Sequence, residues 1–136
     1  MSDTFQVRCV RRPARLDLLP GHARSFSASL IEEELSARVD VAQIGGGDGL
    51  DSYWASLAEE WRGWTGSKVW KSHEQDLELA ATSDGKGHIS LKVTLNRGSA
   101  SASGWQAQTT LVIEAGQLDR IASDALAFCR LLGAAA

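Results

Sequence analysis

Three histidines, two cysteines and seventeen acidic side chains are the residues of this chain best equipped for chemistry. His22, His73 and His88 stand far apart, and none falls at the i, i+4 or Cys/His spacing that closes a zinc site, so no metal and no cofactor is expected. Three adjacent carboxylates, Glu32, Glu33 and Glu34, lack ligand spacing, because neighbours in an extended segment point to opposite faces; they read as a solvated turn. A Ser-His-Asp relay can be written from Ser72, His88 and Asp84, but no strained nucleophile motif accompanies it and such relays are recognised by geometry rather than order. Catalytic residues are therefore not assigned.

The aromatic residues carry a different possibility. Four of the five tryptophans fall between Trp54 and Trp70. Trp61, Trp64, Trp70 and Trp105 have the flat faces and single N–H groups suited to lining a groove for a ligand or a partner protein. Helical spacing assigns Trp54 and Trp61 to a core stripe, whereas Trp64 follows Gly63 and is expected to be partly exposed. With the polar residues beside them, the candidate binding set is Trp64, Trp70, His73, Glu74, His88 and Trp105.

The elements that must hold these residues follow from hydrophobic periodicity. Leu50, Tyr53, Trp54, Leu57 and Trp61 share one face of a helix, with Asp48 expected to cap its start and Gly63 to end it. Leu118, Ile121, Ala122, Ala125, Phe128, Cys129 and Leu132 mark a second helix, beyond which the terminal Gly-Ala-Ala-Ala of residues 133–136 is expected to fray. Elsewhere the pattern alternates. Two short strands break at Arg12-Pro13, a hairpin turns at Glu32-Glu33-Glu34, and Lys68–Ser72 and Leu77–Thr82 are extended. Ile89, Leu91, Val93 and Leu95 alternate without exception, His88 is expected near the polar side of Trp70–His73, and Trp105 opens a further strand. Gly45–Gly49 reads as a flexible connector, and Asn96–Gly104 as a mobile loop. Alternating strands joined by hairpin turns imply an α+β fold: a single curved antiparallel sheet of about seven or eight strands, with both helices packed on one face. Residues 1–136 make one domain, whose hydrophobic content of 43% suffices for one core.

A net charge of −3 gives no footprint for nucleic acid, and Arg8, Arg11, Arg12 and Arg15 read as a solvated face. Without a signal sequence or a membrane-length apolar run, the expectation is a cytoplasmic protein off the membrane, with Cys9 and Cys129 reduced and buried.

Trp61-Arg62-Gly63-Trp64-x-Gly66, Trp70-x-Ser72, Leu77-x-Leu79, Asp84-Gly85-x-Gly87-His88, the Trp105 strand and Glu114-x-Gly116-Gln117-Leu118 together resemble a family of small bacterial, mainly actinobacterial, domains of unknown function. The resemblance runs from about Ala23 to the end, departing at Gly45–Gly49 and the Ser-rich loop before Trp105. It implies a small α+β protein similar in size and acidity to immunity proteins that neutralise toxins by occlusion. The leading expectation is a non-enzymatic protein-binding domain, an immunity-like inhibitor of a toxin, which would present Glu32, Glu33, Glu34, Asp48 and Asp51 as one acidic surface. The alternative is a small-ligand binder or hydrolase with a Trp-lined pocket.

Overall fold

The structure, a computed structural model, describes residues 3–22, 24–98 and 104–134. Residues 135–136 of the expected frayed end and 99–103 of the expected Ser-rich loop therefore lie outside the described residues, but the expectations around them are corrected in part: Gly133 and Ala134 continue the last helix instead of fraying, and Asn96 and Arg97 close a strand instead of opening the loop. Alternation in the first third yields β1 (Phe5–Arg8), β2 (Arg15–Pro20), β3 (Ser25–Glu32) and β4 (Leu35–Ala42), an antiparallel meander in chain order. Phe5 pairs with Leu18, Leu18 with Ala28 and Ala28 with Val39, so one row of apolar side chains crosses this sheet on its inner face. After α1 (Leu50–Glu59), β5 (Lys68–Lys71), β6 (Leu77–Ser83), β7 (His88–Arg97) and β8 (Trp105–Glu114) form a second meander, followed by a single 3-10 turn and α2 (Leu118–Ala134). Here Ala81, Leu91 and Leu111 make the corresponding row.

The single sheet expected from the alternation is thus corrected to two four-stranded antiparallel sheets within an α+β fold. The break falls at residues 43–67, which hold a glycine loop, α1 and the Trp-rich turn. These prevent β4 from continuing into β5, and the N–H of Ala42 donates instead to Asp76 Oδ2 at 3.4 Å. The expectation of two helices on one face of one sheet changes with it. The two helices pack against each other, and their apolar stripes join the inner faces of both sheets in one core. Phe128 of α2 meets Phe26 and Phe5 at ring distances of 5.8 and 6.2 Å, and Phe5 meets Trp54 of α1 edge-on at 6.1 Å. Each fully buried leucine here, such as Leu50 and Leu57, contributes about 1.5–3 kcal/mol relative to exposure.

One polar clamp also joins the sheets. Arg12 Nη2 donates to Thr109 Oγ1 at 2.8 Å, to the Thr110 carbonyl at 2.9 Å and to Glu32 Oε2 at 3.1 Å. The Thr109 hydroxyl and Arg12 hold the Glu32 carboxyl below the usual carboxylate range. Arg12 is therefore structural, where a solvated face was expected. Cys9 and Cys129 are both free, but only Cys129 is buried; Cys9 is half-buried, its sulfur accepting the Val112 N–H at 3.4 Å. Among the described residues no helix is long and apolar enough to cross a membrane.

Candidate functional site

α1 carries Leu50, Tyr53, Trp54 and Leu57 into the core and then stops at Glu59, two residues before the apolar stripe would have reached Trp61. Gly63, at φ 127°, reverses the chain close to the β6–β7 turn, where an added Cβ would stand 3.1 Å from Ser83 Oγ. Trp61 therefore leaves the helix outward and is 53% exposed, contrary to its expected place in the core. The Arg62 guanidinium lies 5.1 Å from its ring centroid, within the range in which a cation is drawn to an aromatic face. Trp64 folds back. Half-buried, it donates its indole N–H to the Ala81 carbonyl at 3.1 Å, and Lys68 Nζ sits 5.6 Å from its ring.

Trp61 and Arg62 form one wall of an open groove of about 600 Å³, with Gly85 and Gly87 of the β6–β7 turn and Gly116 and Gln117 of the turn into α2 opposite. Both turns are fixed locally. Asp84 Oδ1 accepts the N–H groups of Lys86 at 2.7 Å and His88 at 3.1 Å, which keeps the Asp84 carboxyl below its ordinary range. Gln117 Oε1 accepts the Glu114 N–H at 3.1 Å in a capping box. The glycines leave the floor bare of side chains, so Trp61 is the dominant apolar feature.

The six residues singled out by sequence do not converge. His88 and Trp64 lie near this groove, and His88 Nδ1 is 3.3 Å from Asp84 Oδ2. His73 and Glu74 occupy the β5–β6 turn, at the other end of the seven-residue β6, which at strand spacing puts them about 20 Å from His88. The expected approach of His88 to the Trp70–His73 segment is thereby excluded. Trp105 also sits at that far end, paired with Arg97. Trp70 is buried, and its indole donates to the Asp48 carbonyl at 3.1 Å.

No catalytic set forms from the residues considered. The relay written on paper is split, because the Ser72 hydroxyl is buried at the far end and accepts the Leu77 N–H at 3.1 Å. Among the described residues no group of three His, Cys, Asp or Glu is arranged to hold a metal ion. The five carboxylates expected on one acidic surface are divided: Glu33 and Glu34 at the β3–β4 turn, Asp48 and Asp51 beyond the other end of eight-residue β4, about 25 Å away. Glu32 is occupied by Arg12 and Thr109.

Sequence reasoning missed Arg62, Gly116 and Gln117 as site residues, and it weighed Trp61 as a groove residue but assigned it to the core. Periodicity placed Trp61 inside the helix because it registers spacing and not where the helix stops. The Arg62-Gly63 pair was the available signal.

A family model described as a family of unknown function matches residues 16–131, from β2 through most of α2 and including every residue of the groove. No curated protein and no solved structure matches the chain.

Proposed function

We propose that this chain, which belongs to the DUF6228 family of unknown function, works by binding a protein partner on the face formed by Trp61 and Arg62. The observation that carries the reading is a tryptophan 53% exposed at the margin of an apolar groove, stacked with an arginine. Trp and Arg are the residue types that most often anchor interfaces, and a large exposed indole costs solubility unless something covers it. An immunity-like inhibitor that occludes a toxin is a special case of this reading. Its anchor would be Trp61, since the carboxylates do not gather into one acidic face. A small ring stacked on Trp61 is the alternative that the groove's volume admits.

The test begins with a photo-crosslinking amino acid at position 116, which lines the groove opposite Trp61 with open space before it and reports what occupies the groove. A partner identified in this way is then titrated against the unmodified protein and Trp61→Ala. Loss of about 2 kcal/mol of affinity, roughly thirtyfold, with the melting temperature unchanged is the expected result. Equal affinity for both proteins would remove this face from the function.

A further inference from the structure

Sheet edges are surfaces that folded proteins ordinarily shorten, cover or charge, because unpaired backbone groups recruit further strands. Three of the four edges here are treated in that way. β1 and β5 are four residues each, and the Tyr53 hydroxyl covers the Lys68 carbonyl of β5 at 3.0 Å. β8 is capped over its C-terminal half, where the Val112 carbonyl accepts the Val10 N–H at 2.8 Å and the Thr110 carbonyl accepts Arg12.

β4 differs. It is eight residues long and joins β3 through a two-residue turn, so the closing pair Glu32–Leu35 fixes which groups face β3. Leu35, Ala37, Val39 and Val41 bond to β3; Ser36, Arg38 and Asp40 turn their N–H and C=O groups outward. The next residues agree with this phase, since the Ala42 N–H points away to Asp76 and the Gln43 N–H returns to the Arg24 carbonyl. The outward groups of Ser36, Arg38 and Asp40 have no hydrogen-bond partner among the described residues. Arg38 and Asp40, with Val39 between them, border a cleft of about 380 Å³ whose other wall is Asp76, Asn96, Arg97 and Gly98.

We infer that this cleft receives an extended segment of a partner protein, which adds to β4 as a fifth, antiparallel strand. The facing wall argues for a single strand, because a second copy of this chain would have to bring its whole sheet into the cleft. Charge defines the segment's chemistry. Arg38 and Asp40 project from the same face of β4, two residues apart, so an antiparallel strand places an acidic side chain opposite Arg38 and a basic one opposite Asp40. Between them, the residue opposite Val39 falls on the sheet face where Val39 is buried, so an apolar side chain there extends that row. Read from its N-terminus, the segment is basic, apolar, acidic. This surface lies at the opposite end of ten-residue β7 from the Trp61 groove, about 30 Å away, and stands or falls separately from it.

The probe is the capped peptide Thr-Lys-Val-Glu-Thr, with Thr-Glu-Val-Lys-Thr as its charge-swapped control, titrated against the intact chain while amide hydrogen exchange is followed. The first peptide should bind saturably, at least tenfold more tightly than the second, and slow exchange at Arg38 and Asp40. Arg38→Pro removes an N–H that bonds to no neighbouring strand, so it should keep the fold and weaken binding at least tenfold. If that variant does not fold, Arg38→Glu/Asp40→Lys serves in its place and should invert the preference between the peptides. Unslowed exchange with both peptides, wild-type affinity in Arg38→Pro, or an unchanged preference in the charge-swapped variant would overturn the inference. A dimer in solution with these amides already protected would do so too, by assigning the edge to a second copy.

Discussion

α1 is entered and left through glycine-containing turns that are opposites in construction. At its entry, Gly45–Gly49, most backbone groups are engaged. The Asp48 carboxylate accepts the N–H groups of Ile44 at 2.9 Å and Gly45 at 3.2 Å, Gln43 Oε1 accepts that of Gly47 at 2.7 Å, and Trp70 reaches the Asp48 carbonyl. At its exit, Trp61–Gly66, the chain turns with few such bonds and leaves an indole in water. The expected flexible connector is thus closed by hydrogen bonds, and the expected core tryptophan is at the open turn. Composition therefore misled at both turns: what sets rigidity is whether the N–H groups find acceptors, and what sets burial is where the helix stops.

The contrast breaks most visibly at Gly47. Its φ is +81°, and an added Cβ would stand 2.6 Å from Cys129 Sγ, so Gly47→Ala combines backbone strain with overpacking. A loss of about 2–4 kcal/mol by denaturant unfolding is expected, and Cys129→Ala in the same chain should restore the steric part. A change under 1 kcal/mol would show that the entry loop yields after all.

A smaller effect should come from pH. Burial, then the charge of Asp51, pushes the Cys129 thiol up to about 11 from its ordinary 9. A raised pKa means that the folded chain keeps a proton which the unfolded chain gives up, so stability is full below about pH 9 and declines as pH rises to about 11. Burial raises the Tyr53 hydroxyl as well, which adds to the decline above its ordinary value of 10. Urea midpoints measured from pH 8 to 11 should fall less steeply in Cys129→Ala. Identical slopes would remove Cys129 from the account. The smallest effect sharpens the other side: Trp61→Ala, at the open turn, should shift folding stability by no more than about 0.5 kcal/mol.

Much of the fold was legible because alternation and helical spacing are local. Ile89 to Leu95 fell on one face as read, and Leu50, Tyr53, Trp54 and Leu57 are buried as their spacing required. The division into two sheets was not, since the pattern of β4 and β5 says which face is apolar and nothing about which strand lies alongside. Nor was the cap. Asp48 has the right type and place to cap α1, yet Gly49 occupies the cap position, and the Asp48 carboxylate turns back to the loop. Site residues suffered from the same limit. His73 and His88 are near in sequence, and β6 stands between them.

Within each sheet every strand pairs only with its neighbours in the chain, and this bears on how the protein assembles. Both meanders close by short loops, so their pairing carries little loop-closure entropy and belongs to the fast, local part of folding. Neither has a complete core of its own, because Phe5 and Phe26 of the first and Leu91 and Ile113 of the second bury their side chains in one shared cluster. Joining the two halves is then the step that commits the chain. Chains cut in the Trp61–Gly66 turn and mixed as fragments should regain structure together that neither holds apart.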